Sequence, residues 1–202
     1  MSAAATIPLR FQRAELEQKA DLTAEGLAAL ADATRPDALV GALHAAGNAR
    51  DAVYALSMIL PHRQTVWWAC LAARLLPDLA HRPADSAALD AAERWVQTVS
   101  AADAEQAGAA TETCDLGKAP GWAAMAAYWA GPSIAPRGQH MVAPAVHLPG
   151  AATRTTLLML TLEPSLAERA TLADWLEIGV ALMKGGNGRQ AQANVKTRLF
   201  AG

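Results

Sequence analysis

Aromatic residues are scarce in this 202-residue chain, at 5% of the sequence, although hydrophobic residues make up 52%. The apolar volume therefore comes largely from alanine and leucine, and alanine is the strongest helix former. Long uninterrupted apolar runs are also missing, which excludes a predicted transmembrane helix. The N-terminus lacks the charged-then-apolar order of a signal peptide. These absences predict a helical protein without membrane insertion.

Cysteine and net charge are equally limited. Cys70 and Cys114 lie 44 positions apart, which predicts two reduced thiols and a cytoplasmic location rather than a disulfide framework. A formal net charge of −2 provides no field that would hold nucleic acid. The charge is uneven, however, because residues 1–118 sum to −5 and residues 119–202 to +3. This asymmetry could orient a protein partner.

Motifs for catalysis, nucleotide binding or metal binding are absent. The glycine-rich segment 185–188 follows a helical pattern and lacks the lysine and hydroxyl of a phosphate-binding loop. Neither cysteine has an adjacent histidine that would activate it. Only His140 and His147 approach the spacing of zinc ligands within one segment, and solvated loop histidines are the favoured interpretation. We therefore predict no enzyme, no cofactor and no metal.

The most distinctive stretch that is present runs from Leu60 to Leu76 and contains the adjacent residues Trp67 and Trp68. Prolines stand at both ends of this stretch, and its apolar residues cover more than one face of a helix. A helix that is apolar over so much of its circumference is usually central. We therefore predict that this segment is the packing hub of the protein.

The remaining periodic segments are also helical. Pro36 suits a first helical position, Thr23 suits an N-cap, and the apolar residues from Ala88 to Val99 recur at a period of 3.6. The sequence predicts an all-α fold, a single-domain multi-helix bundle or short helical-hairpin array of about seven or eight helices. It divides into an N-terminal arm (1–20), a helical domain (21–184) and a C-terminal tail (185–202) that either stays flexible or docks.

Three local assignments are less direct. Residues 151–162 combine four threonines with leucines, and we assign them to a helix because no partner strand is evident. Ser165 and Glu168 have the spacing of a capping box, which predicts a helix start there. Gly131 followed by Pro132 predicts a left-handed glycine at the end of the preceding helix.

Candidate binding residues concentrate on the central helix and on the longest irregular stretch, residues 133–150. Long loops in compact domains are often functional. Two tryptophans 100° apart on a helix cannot easily share one pocket, so one of Trp67 and Trp68 is expected at a surface. The predicted binding set consists of Arg63, Trp67, Trp68, Trp129, Ile134, Arg137, His140 and His147.

Several packing motifs carry a family resemblance. They are Leu60-Pro61 with Arg63 and the run 66–70, Ala91-Ala92 with Trp95-Val96, and Trp122 with Met125-Ala126 before 131–136. The sequence resembles an uncharacterised family of small bacterial helical proteins associated with type VI secretion gene clusters. The resemblance covers about residues 36–185 and implies a fold and a genomic setting, with no catalytic residues.

Two functional hypotheses follow. The first is a non-enzymatic protein-interaction module, an adaptor or chaperone-like accessory of a bacterial secretion system, that binds a protein partner beside Trp67 and Trp68 and through the 133–150 loop. The second is a small-molecule binding protein or cryptic enzyme whose tryptophan-lined pocket includes His140 or His147. An exposed apolar patch favours the first hypothesis, and a polar convergent pocket favours the second.

Overall fold

Helices dominate the computed structural model, which describes residues 7–201 except 136–138 and 167. The described residues contain no strand, so the all-α prediction is confirmed. They form eleven α-helices, more than the seven or eight expected, together with a 3₁₀ turn at Leu79–His81. The helices are α1 (Arg13–Lys19), α2 (Ala24–Asp32), α3 (Pro36–Ala45), α4 (Ala49–Ile59), α5 (His62–Ala73), α6 (Pro83–Thr98), α7 (Ala101–Thr111), α8 (Ala119–Trp129), α9 (Leu148–Leu162), α10 (Leu172–Met183) and α11 (Arg189–Phe200).

Two of the helices lie in segments for which no helix was predicted. Helix α1 falls inside the expected N-terminal arm, and its Leu16 is buried. Helix α11 falls inside the expected C-terminal tail. Its buried residues Ala191, Val195 and Leu199 recur every four positions and face the rest of the protein. The segment 189–200 is therefore a docked helix, packed against α10 and α5.

Helix α5 is the hub that the sequence predicted. It packs against α6, α8, α9, α10 and α11. All but one of the residues from Thr65 to Ala73 are buried, the exception being Trp67. Because apolar side chains cover most of its circumference, α5 can be surrounded by other helices without leaving polar groups in the core.

The apolar interior consists of two clusters, and α5 contributes to both. Trp68 and Leu71 belong to the larger cluster, which draws on most of the other helices. Val66 and Cys70, one turn apart, belong to a smaller and alanine-rich cluster with residues of α6, α7, α8 and α9. Trp67 packs against both clusters from their edge. Its ring therefore marks the place where the two cores meet the surface.

Close packing of α10 on α5 depends on Gly179. A Cβ atom at this position would lie 2.6 Å from Cζ2 of Trp68 and 2.9 Å from Cδ2 of Leu56. Neither a core ring nor a core leucine can retreat by that much in a densely packed interior. Because residue 179 has no side chain, the Trp68 ring fits between the two helices.

A buried carboxylate joins the start of α4 to the start of α2. Asp51 has no exposed surface, and its Oδ2 accepts hydrogen bonds from the Thr23 backbone N–H (3.1 Å), the Thr23 hydroxyl (2.6 Å) and Asn48 Nδ2 (3.0 Å). Its Oδ1 accepts one from Arg50 Nη1 at 2.8 Å. Burial raises the pKa of Asp51, but these hydrogen bonds together outweigh burial and leave the pKa below its usual value.

Of the predicted helix caps, the one at Thr23 is correct and the one at Ser165 is wrong. Thr23 caps α2 by accepting a hydrogen bond from the Gly26 N–H at 3.2 Å, as predicted. The predicted capping box at Ser165 and Glu168 is wrong. The helix begins later, at Leu172, with a box formed by Thr171 and Asp174. Glu168 has a positive φ of 68°, outside the right-handed helical region that the third position of a helix requires.

Of two further local predictions, the one for the end of α8 is wrong and the one for residues 151–162 is correct. Gly131 does not adopt a left-handed φ, so that prediction is wrong. A Cβ atom there would lie 2.5 Å from the Cβ of Ala104, and the glycine therefore permits close approach to α7. The helix predicted over 151–162 is confirmed as part of α9. The hydroxyls of Thr155 and Thr156 donate to carbonyls one turn earlier, which satisfies them within the helix.

Membrane-spanning character is lacking in the described residues. None of the helices they form combines the length and the apolar character needed to cross a bilayer.

Candidate functional site: an indole-edged cleft and an anchored apolar loop

The two adjacent tryptophans of α5 occupy different environments. Trp68 is fully buried, and its indole N–H donates to the backbone carbonyl of Trp175 at 2.8 Å. Trp67 is half-buried, and its indole N–H donates to the backbone carbonyl of Asn187 at 2.9 Å. Trp68 is therefore a core residue that no partner can reach in this conformation, and Trp67 is the one that meets the surface.

A cleft of about 310 Å³ opens beside Trp67. Three segments that are distant in sequence form its walls: the first turns of α5, the last turns of α6 and the connection from α10 to α11. The lining residues are Arg63, Gln64, Trp67, Glu93, Val96, Gln97, Leu182, Gly186, Asn187 and Arg189.

Hydrogen bonds and stacking fix the walls of the cleft relative to one another. Arg63 Nε donates to the carbonyl of Val96 at 2.6 Å, which joins α5 to the end of α6. The guanidinium of Arg189 lies over the Trp67 ring, 5.1 Å from its centroid. Such cation–π stacking contributes about 0.5–1 kcal/mol at exposed sites. Together with the indole bond to Asn187, these contacts hold the α10–α11 connection against α5.

The one acidic side chain in the cleft is already paired. Glu93 accepts hydrogen bonds from Arg74 Nε at 2.8 Å and from Arg74 Nη2 at 3.1 Å, one on each carboxylate oxygen. The hydrogen bonds that Arg74 donates to Glu93, the largest cause, together with the one to Asp90 raise the pKa of Arg74 above its usual value, although burial opposes this shift. Among the side chains that line the cleft, the two arginines outnumber this one carboxylate, so the lining carries a net positive charge.

The irregular segment between α8 and α9 forms the second feature. Its two sides are held together by a hydrogen bond from the Ile134 N–H to the Val142 carbonyl at 2.9 Å. The hydroxyl of Ser133 accepts from the N–H groups of Ala135 and Val142, each at 3.1 Å. The described parts of this loop are thus tied by one backbone hydrogen bond and by the Ser133 hydroxyl, despite the lack of regular secondary structure.

This loop presents apolar side chains to solvent. Met141 is 71% exposed, and Val142 and Val146 are each 51% exposed. We call these three residues the loop surface. Apolar side chains that are concentrated on an exposed segment indicate an interaction surface more strongly than single exposed residues do.

The loop also touches the start of α5 through His62. Its Nε2 lies 2.7 Å from Arg10 Nη1 and 3.0 Å from the carbonyl oxygen of Val146. Burial, followed by the positive charge of Arg10, lowers the pKa of His62. One ring nitrogen serves these two neighbours in alternation: it accepts from Arg10 when it carries no proton and donates to the Val146 carbonyl when it carries one.

The predicted binding residues separate into four groups. Arg63 and Trp67 line the cleft, whereas Trp68 lies in the core. Trp129 is half-buried at the end of α8 and packs edge-to-face against Trp122, with ring centroids 6.2 Å apart.

The remaining four belong to the loop segment. Ile134 is half-buried, His140 is exposed, and Arg137 lies outside the described residues. His147 precedes α9, and burial, followed by Lys19, lowers its pKa. Neither His140 nor His147 lines the cleft beside Trp67. Within the described part of the chain, no three His, Cys, Asp or Glu side chains are grouped so that they could hold a metal ion.

Sequence reasoning missed several residues of both features. Gln64, Gln97 and Arg189 line the cleft, but they come from three separate segments and no local pattern links them. Met141 and Val146 were detectable, because apolar side chains inside a proline-rich irregular segment are unlikely to be part of a helical core.

The fold and the two features define an all-helical protein with an anchored apolar loop and a positively charged cleft. The chain belongs to the family of unknown function DUF6931, whose model matches residues 39–183. The match runs from within α3 to the end of α10 and includes α5 and the loop surface. No curated protein and no solved structure matches the chain.

Proposed function

We propose that this protein is a non-enzymatic protein-interaction module that binds its partner through the loop surface. The observation that carries the proposal is the exposure of Met141, Val142 and Val146 on a loop that is tied by a backbone hydrogen bond and by the Ser133 hydroxyl. An anchored apolar surface loses little conformational entropy on binding, which favours association.

The partner is proposed to be a component or an effector of a bacterial secretion apparatus, with this protein acting as a cytoplasmic adaptor or chaperone-like accessory. The link to type VI secretion rests on the motif resemblance described above. Because the described part of the loop surface is apolar, we expect the partner to contribute a complementary apolar patch.

The test is affinity capture from the native host with a loop variant that carries Met141→Ser, Val142→Ser and Val146→Ser together. A matched control replaces Leu162, which is 73% exposed, and Val99, which is 53% exposed, with serine. We expect the same specific protein to be captured by the wild type and the control and to be lost from the loop variant. Equal capture by all three would contradict the proposal.

A second candidate function is small-molecule binding in the cleft beside Trp67. It is supported by the convergence of an indole ring, two guanidinium groups and three primary amides on one opening of about 310 Å³. This volume is at the lower end of the range for small-molecule sites, about 300–1,000 Å³. The cleft and the loop surface share no residue, so the two functions can be tested separately.

A further inference from the structure

The cleft beside Trp67 holds two arginines whose charges are not neutralised. Among the residues that the structure describes, neither Arg63 nor Arg189 forms an ion pair with a carboxylate. Other arginines of the chain are paired: Arg74 with Glu93, and Arg82 with Glu163. Both arginines line the same opening, and an anion bound there would be attracted by each of them.

The hydrogen-bond donors of both arginines remain available. Arg63 uses its Nε on the Val96 carbonyl, which leaves both terminal nitrogens free to donate. Arg189 stacks its guanidinium face on the Trp67 ring, and stacking leaves the edge of the guanidinium free. A guanidinium edge matches the two oxygens of a carboxylate and binds them with two parallel hydrogen bonds.

Neutral donors and an apolar wall complete the cleft. The side-chain amides of Gln64 and Gln97 make no hydrogen bond to any described residue. The half-buried ring of Trp67 and the side chain of Val96 supply apolar surface next to these polar groups. A ligand that fits must therefore carry negative charge and a short apolar group on the same small framework.

We propose that this cleft binds a carboxylate attached to a short apolar group, with Arg63 and Arg189 as the carboxylate-binding residues. The inference rests on the second candidate function, since it names the ligand class of that site. Two sources present this chemistry: a free branched-chain or straight-chain carboxylic acid, and an acidic residue beside a leucine in a peptide.

The experiment is a titration of the full chain followed by the indole N–H signal of Trp67 in ¹H–¹⁵N spectra, with Trp67→Phe used to assign that signal. The probes are 4-methylpentanoate and its uncharged analogue 4-methylpentanamide. A second pair of probes is the acetylated, amidated peptide Gly-Leu-Glu-Gly and its glutamine counterpart. We expect the acid of each pair to bind with a Kd at least about tenfold lower than that of its amide, as measured from the shift of the Trp67 signal. Binding should also weaken as the salt concentration rises.

Three arginine variants test which side chains bind the carboxylate of the probe. Arg63→Gln and Arg189→Gln should each raise the Kd for the carboxylate probe by about tenfold or more, because each removes charged hydrogen bonds. The control is Arg94→Gln on α6, which is exposed and does not line the cleft, and it should leave the Kd unchanged. Because Arg63 also donates to the Val96 carbonyl and Arg189 stacks on Trp67, each variant is titrated with the amide probe as well, and only the affinity for the carboxylate should fall.

The outcomes separate the possibilities. Preference for the acid in the 4-methylpentanoate pair, in the peptide pair or in both supports the inference and identifies the source of the carboxylate. Equal affinity for acids and amides would overturn the inference while leaving small-molecule binding in place. No shift of the Trp67 signal at millimolar probe, or equal losses in all three arginine variants, would overturn both.

Discussion

Replacing each of the adjacent tryptophans with phenylalanine should have very different effects on stability. Trp68→Phe removes a buried hydrogen bond to the Trp175 carbonyl, at about 1 kcal/mol. It also leaves a small cavity where the larger ring was, which costs about another 1–2 kcal/mol. The expected loss is therefore about 2–3 kcal/mol in the free energy of unfolding, or about 4–12 °C in the unfolding midpoint for a chain of this size.

Trp67→Phe is the matched comparison, because the same atoms are removed at the next position. Trp67 is half-buried and its hydrogen bond to Asn187 lies at an exposed position, so water can replace the lost donor. We expect a change within about 1 kcal/mol. Urea unfolding followed by far-ultraviolet circular dichroism measures both variants without relying on tryptophan emission. Equal losses at the two positions would refute the assignment of Trp68 to the core and of Trp67 to its edge.

Three further predictions concern the interior and the thiols. Gly179→Ala should destabilise the protein by about 1–3 kcal/mol in urea unfolding, because its Cβ would overlap the Trp68 ring; a neutral change would contradict the packing of α10 on α5. Asp51→Asn should cost about 1–3 kcal/mol at pH 7. The folded-state pKa of Asp51 is below its unfolded value, so its contribution is present above the unfolded pKa of about 4 and is lost as pH falls through the folded pKa. The difference between wild type and Asp51→Asn should therefore shrink at pH 3, and a constant difference would be evidence against the hydrogen-bond network. Burial raises the pKa of both thiols, but Cys70 is inaccessible and Cys114 half-buried. An aromatic disulfide reagent should therefore titrate one thiol, slowly, in the native protein and two after denaturation; rapid reaction of both in the native state would contradict the burial of Cys70.

The central features of the fold were predictable because they depend on local apolar pattern. The run from Val66 to Leu71 is apolar on several faces, and it became the helix that joins the two cores. The threonine-rich part of α9 was also predictable, since a strand needs a partner and the sequence offered none. Its hydroxyls then find acceptors within the helix itself.

The terminal helices could not be predicted in the same way. The inward-facing residues of α11 are Ala191, Val195 and Leu199, separated by polar residues that carry no sign of burial. A helix with such a thin apolar stripe is stabilised by docking on other helices rather than by its own propensity. Its existence therefore depends on tertiary contacts with α10 and α5.

The cleft depends on contacts between segments that are far apart in sequence. Arg63, Gln97 and Arg189 meet only because α5, α6 and the α10–α11 connection converge.

The start of α10 shows that prediction from sequence can also fail over a few residues. Ser165 and Glu168 had the correct spacing for a capping box, but the chain turns with a positive φ at Glu168 and the box forms at Thr171 and Asp174 instead.

The measurement that tests the proposed function most directly is site-specific photo-crosslinking in the native host. A photoreactive residue at position 141, where the side chain is 71% exposed on the loop surface, is compared with one at position 162, where it is 73% exposed on the end of α9. We expect a discrete crosslinked product with one partner protein from position 141 and none from position 162. The same products from both positions, or no product from position 141, would contradict it.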